Sequence, residues 1–160
     1  MEAWQVFFAA QVGASAALAG LLFVGVSLNL SEIIASTRLT DRAMQALIVL
    51  VGILIIASIM IIPGQSNTAV GLEILILGLC FWFGVTRIDL RILSKTEDQY
   101  RGQFMQNMVL TQIALLPYPI AGAAVLIAGA NGLYLLPLAM LFSFVKAILD
   151  SWMLLIEIKR

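Results

Sequence analysis

Histidine is absent from this 160-residue sequence, and cysteine occurs once. Without histidine the chain lacks the commonest metal ligand and the commonest general base. No serine, no threonine and no thiol here has an imidazole to activate it. One cysteine excludes an intramolecular disulfide. Cys80 lies in an apolar run and reads as a small packing or lipid-facing residue. The sequence also lacks a phosphate-binding G-x-x-x-x-G-K-[ST] loop, an H-E-x-x-H helix, a C-x-x-C pair and a dinucleotide-binding glycine fingerprint. These absences predict a protein that is not an enzyme and holds no metal or cofactor.

Charge is scarce as well. Asp, Glu, Lys and Arg make up 11% of the chain, against roughly 25% in soluble domains. The nine basic and nine acidic residues cancel, so no global positive field exists to attract nucleic acid. The amino-terminal stretch MEAWQVFFAAQ lacks the basic segment of a signal peptide, and the first apolar segment is therefore expected to stay in the membrane.

What fills the chain instead is apolar: 62% of residues are hydrophobic. Residues 3–31 contain no charge, and neither do residues 102–145. About 20 apolar residues cross a ~30 Å hydrocarbon core as a helix. The second run is too long for one crossing and suits two, with Asn131-Gly132 supplying the reversal. The expected fold is all-α: a single-domain, polytopic transmembrane helix bundle with spans at about 7–30, 43–62, 69–92, 104–130 and 133–158. Pro63-Gly64 stops the second span.

With five spans, Arg38 and Arg42, then Arg87, Arg91, Lys95 and Arg101, then Lys159 and Arg160 all fall on one side. The opposite side has no lysine or arginine. The positive-inside rule then puts the N-terminus outside and the C-terminus in the cytoplasm. The connection RIDLRILSKTEDQYR, residues 87–101, reads either as a helix end with snorkelling arginines and a solvated loop, or as a docking surface for a cytosolic partner or anionic lipid.

The fifth span carries ionisable groups within its apolar run. At 100° per residue, Ser143, Lys146, Asp150 and Glu157 fall within a 60° arc and form one stripe. Gln103, Asn107 and Thr111 recur every four residues in the fourth span, Ser27 and Asn29 lie near the inner end of the first, and Gln45 lies near that of the second. Isolated charges in hydrocarbon cost ~2.5–3.5 kcal/mol each, so these groups are expected to cluster around Lys146 and Asp150. Two readings stay open. The seam either locks helices together as a self-neutralising pair, or lines a path for ions or protons. Asp150 reads as the one carboxylate well inside the membrane. Glu73 falls in the first turn of the third span, where a helix's positive end and headgroup water suit it, or where an oligomer could form an acidic ring.

Packing signals come from small residues and proline. Gly13 with Ala17, and Ala16 with Gly20, are small-xxx-small pairs on the first span. Such pairs let helix backbones approach closely, either within the chain or against another copy. The stretch Ala121-Gly122-Ala123-Ala124 gives the fourth span a similar small-residue half. Pro117 and Pro119 remove two backbone donors from that span and predict a kink, with Tyr118 placed to cap a freed carbonyl.

The stretch LAGLLFVGVSLNL, Leu18–Leu30, followed by Pro63-Gly64-Gln65, resembles a group of small bacterial membrane proteins described as modulators of the FtsH protease. The resemblance covers the first half of the chain. It implies a bacterial inner-membrane location and a regulatory interaction with a membrane protease. The familiar modulators have seven spans, and the five expected here depart from that pattern. The sequence as a whole predicts a small, non-enzymatic, multi-pass membrane protein that packs into a homo-oligomer or a larger membrane complex. The alternative is an oligomeric ion or proton channel or transporter lined by Lys146 and Asp150. The lipid bilayer is the expected surrounding, and no nucleic acid is expected as a partner.

Overall fold

A computed structural model describes residues 2–94 and 101–158. Its elements are α1 (Glu2–Leu28), α2 (Leu30–Ala35), α3 (Thr37–Ile61), α4 (Asn67–Ser94), α5 (Arg101–Leu115), α6 (Pro117–Ala128), a 3-10 turn (Gly129–Tyr134) and α7 (Leu135–Ile158). Every element among the described residues is helical. Four stretches are long and apolar enough to cross a membrane: Trp4–Leu28, Thr37–Ile61, Asn67–Ser94 and the 54-residue Phe104–Glu157. At 1.5 Å per residue, α3 alone is ~38 Å long, more than a hydrocarbon core. The chain is a membrane protein with transmembrane helices.

Local chemistry sets the element ends. α1 stops at Asn29, whose side-chain Nδ2 donates to the Gly25 carbonyl at 2.9 Å, and the short α2 follows. Ser36 is extended, with ψ 116°, and separates α2 from α3. Ile62 is extended before Pro63, as a residue preceding proline prefers, and Gly64 takes φ +78° in the turn. The Ser66 hydroxyl accepts from the Ala69 amide at 3.2 Å and caps the start of α4. Pro137 sits in the first turn of α7, where its missing donor costs nothing.

The long Phe104–Glu157 stretch folds back on itself. Ser143 on α7 bonds to Tyr118 and to Ala114, so α7 runs back along α5 and α6. The reversal spans Gly129–Tyr134, and its chemistry differs from the expected Asn-Gly turn. The positive φ, +61°, belongs to Gly129. Gly132 is needed for room: a Cβ there would lie 2.3 Å from the Val125 backbone nitrogen. The expected helix ends shift too. The first span ends at Leu28 rather than 30, the third helix extends to both sides of 69–92, and the fourth ends at Ala128 before the 3-10 turn. The connection between the first two long helices is itself largely helical, through α2.

α3 is the central helix and packs on α1, α4 and α7. Phe8, Leu50, Ile53, Ile56, Ile74, Leu133, Leu136 and Met140 form the heart of the apolar core. α4 and α6 approach most closely. A Cβ on Gly122 would lie 2.4 Å from the Leu75 backbone nitrogen, and one on Gly78 would lie 2.8 Å from that of Pro119. Van der Waals contact through small residues is the main source of helix attraction in lipid. The small-residue half of α6 therefore meets glycines of α4, which the sequence pattern did not single out.

Charged residues of three helices meet at one end. Arg38 Nη2 and Arg42 Nη1 each lie 3.3 Å from the Glu157 carboxylate, and Arg91 Nη1 lies 3.7 Å from Asp41. The other end gathers Trp4 against Tyr134, with ring centroids 5.0 Å apart, and Gln65 bonded to Glu73 at 2.9 Å. Lys95, Lys159 and Arg160, expected at the charged end, lie outside the described residues, as does all of the connection 95–100.

Candidate functional site

The expected seam on α7 faces inward, and its four residues meet different partners. Ser143, Lys146 and Asp150 are buried, while Glu157 sits half-buried at the charged end. One helical turn separates Lys146 from Asp150, and the two form a buried ion pair. Around them α3 contributes Asp41, Arg42 and Gln45, α4 contributes Asp89, and α5 contributes Thr111, all buried. Gln45 Nε2 donates to Asp89 Oδ1 at 2.9 Å and to Thr111 Oγ1 at 3.4 Å. Thr111 in turn donates to the Asn107 carbonyl at 3.1 Å. Lys146 and Asp150 lie within electrostatic range of Asp89, and Arg42 within that of Asp150.

Asp89 changes the composition of the site. It is 0% exposed, so Asp150 is not the one carboxylate inside. Asp89 sits in the residues 87–101, expected to end a helix at the headgroups and continue as a loop, yet α4 continues through it to Ser94. The signal was available: Val85, Ile88, Asp89 and Ile92 recur at helical spacing, and all four are buried. A polar residue inside an apolar stripe marks a buried polar group. Gln45 satisfies one oxygen of Asp89, but Oδ2 is buried with no hydrogen-bond partner among the described residues.

Above this network the kink has its own bonds. The helix is interrupted at Leu116 and restarts with Pro117 in first position. Tyr118 does not cap a freed carbonyl itself. Its hydroxyl donates to Ser143 Oγ at 3.1 Å, and Ser143 donates onward to the Ala114 carbonyl at 3.2 Å. α7 is thus fastened to the kink through Ser143. Trp82 Nε1 donates to Gln112 Oε1 at 2.6 Å, and Gln112 Nε2 donates to Thr86 at 3.2 Å, a second polar contact between α4 and α5 that the four-residue spacing missed.

Several expected members stand apart. Asn29 bonds its own helix and does not reach the network, because it terminates α1. Ser27 likewise bonds the Phe23 carbonyl and is exposed. Among the described residues, Asn107 enters through its backbone carbonyl. The side chain of Gln103 lies outside the described residues. Gly13, Ala16, Ala17 and Gly20 face outward, and neither Gly13 nor Gly20 has a neighbour within 4 Å of where a Cβ would lie. α1 meets the bundle through another face, with Phe8 and Ser15 buried. Cys80 is exposed. Among the described residues, no three histidine, cysteine, aspartate or glutamate side chains converge on a metal-sized space.

No family model, curated protein or solved structure matches this chain.

Proposed function

We propose that this protein is a small non-enzymatic membrane subunit that crosses the bilayer five times and packs with copies of itself or with a larger membrane complex. The N-terminus is outside and the C-terminus is in the cytoplasm, on the side of Arg38, Arg42, Arg91 and Glu157. The observation that carries the subunit reading is the pairing of buried ionisable groups with one another. Lys146 pairs with Asp150, Arg42 with Glu157, and Gln45 bridges α3 to α4 and α5. Such a network fixes which helices meet and in what register. The outer half of the interior is filled by Phe8, Leu133, Leu136 and Met140, where a conducting path would need polar lining. The outward-facing Gly13, Ala16, Ala17 and Gly20 leave a small-residue face free for another helix. The resemblance of Leu18–Leu30 to modulators of a membrane protease supports a bacterial inner membrane and a regulatory role for that association.

One observation favours a second reading, an oligomeric ion or proton channel or transporter. The network holds Asp89 and Asp150 beside Lys146, and Asp89 Oδ2 has no hydrogen-bond partner among the described residues. Uncompensated intramembrane charge marks ion and proton pathways in many membrane proteins. Flux into proteoliposomes separates the readings. The subunit reading expects proton and potassium leak equal to that of empty liposomes. Flux that disappears in both Asp89→Asn and Lys146→Met would replace it with the second. Topology is tested in a Cys80→Ser background by labelling Asn67→Cys from outside and Ser94→Cys from inside; equal access of both from outside contradicts the orientation.

A further inference from the structure

α1 and α7 both pack on α3 but scarcely touch each other. Between them runs an apolar groove of about 300 Å³, walled by Leu18, Leu22 and Val26 on one side and Ala147 and Leu155 on the other, with Leu50 as its floor. Gly25 belongs to its wall and leaves it open, since nothing lies within 4 Å of where its Cβ would stand. The Ser151 hydroxyl is already bonded to the Ala147 carbonyl at 2.7 Å. Apart from Trp152, whose indole carries one N–H, the rest of the lining is aliphatic or glycine.

The lining selects the occupant: an acyl chain has no donor or acceptor of its own and leaves none unpaired against these apolar walls. From Leu18 to Val26 the wall is ~12 Å long, enough to hold a stretch of one chain. The groove continues toward a charged rim. Leu22, Val26 and Leu154 pack with Ile33, Leu39 and Ala43 of α2 and α3, and one turn past Leu154 stands Glu157. Arg38 and Arg42 share that single carboxylate. Arg42 is buried, whereas the Arg38 side chain is 46% exposed, and its guanidinium has donors to spare. Glu32 on α2 is exposed, and the Ser31 hydroxyl bonded to it holds its carboxyl below the usual range. Among the described residues two arginines and two glutamates meet at this rim, so a phosphate on Arg38 would have carboxylates nearby to suit the ammonium of a zwitterionic headgroup.

We propose that this groove is a phospholipid site. One acyl chain lies between α1 and α7, and the phosphate of a zwitterionic headgroup is bound by Arg38. The site sits at membrane depth and does not depend on which subunit or flux reading holds.

The test is native mass spectrometry of the full chain after reconstitution with phosphatidylethanolamine and extraction in mild detergent. One retained phosphatidylethanolamine per chain is expected. Gly25→Leu, which fills the groove from an open position, should lower that occupancy at least tenfold. Gly84→Leu, also open but on α4, should leave it unchanged. Arg38→Gln should lower it several-fold, and cardiolipin should not displace phosphatidylethanolamine at equal concentration. Equal retention in wild type and Gly25→Leu would overturn the site, and so would equal loss in Gly25→Leu and Gly84→Leu. Preferential cardiolipin retention would overturn the headgroup assignment. Separation of a second copy by Gly25→Leu, with lipid count unchanged, would overturn it in favour of a protein occupant.

Discussion

Replacing Lys146 by methionine should be among the most damaging single changes in this chain. The side chain is 2% exposed and pairs with Asp150, while Asp89, at 0% exposure, lies within its electrostatic range. Methionine fits the volume and removes only the charge. Two buried carboxylates then face each other's field without their ammonium. At an effective dielectric of 20, a charge pair 4 Å apart is worth about 4 kcal/mol. Breaking one side of a buried pair typically costs about 3–5 kcal/mol. Removing both members is different, because the desolvation cost of each disappears with it. The double variant Lys146→Met with Asp150→Leu should therefore recover most of the loss, with a coupling energy of at least ~2 kcal/mol. Equilibrium unfolding in mixed micelles, read by tryptophan fluorescence, measures all four corners of the cycle. A loss below about 1 kcal/mol for Lys146→Met, or a double variant as unstable as the sum of the singles, would refute the claim that this pair is a buried, mutually dependent unit.

Asp89→Asn keeps an oxygen for Gln45 and removes a charge whose second oxygen has no hydrogen-bond partner among the described residues, so it should be neutral or stabilising in the same assay; a loss above about 2 kcal/mol would show that the ionised carboxylate is required. Ser143→Ala removes the acceptor for Tyr118 and the donor to Ala114, leaves a buried phenol unpaired, and should cost about 1–3 kcal/mol. Gly122→Ala places a Cβ 2.4 Å from the Leu75 backbone nitrogen and should cost about 1–3 kcal/mol by overpacking. Gly20→Ile meets nothing within 4 Å of its Cβ, so it should leave the stability of the chain unchanged while weakening its association, measured by crosslinking in membranes; unchanged crosslinking would remove α1 from the interface.

The long helices were legible because hydropathy in a membrane protein is nearly a direct readout of helix position. The α7 seam was legible for a related reason: four polar residues on one arc of an apolar helix have few places to go but inward. Asp89 was missed because charge on both sides of it, in Arg87 and Arg91, drew the whole segment toward the headgroups. Its neighbours Val85, Ile88 and Ile92 carry the opposite message, and in the fold they win by burying one face of α4. Asn29 was misassigned because position along the membrane normal is visible in sequence, whereas a side chain's bond to its own helix is not. The close contact of Gly122 with Leu75 depends on a pairing of α4 with α6 that no local pattern encodes. The sequence presents the Gly13–Gly20 stripe plainly, but which side of α1 meets α3 is decided by Phe8 and Ser15.

The central claim is that this chain works as a packing subunit, and its mass in the membrane-extracted state tests that most directly. One chain weighs 17.4 kDa. Extraction in mild detergent followed by native mass spectrometry should give a defined multiple of that mass, or a fixed-stoichiometry complex with another membrane protein. A chain that is monomeric and alone under those conditions, and still fully folded, would contradict the account.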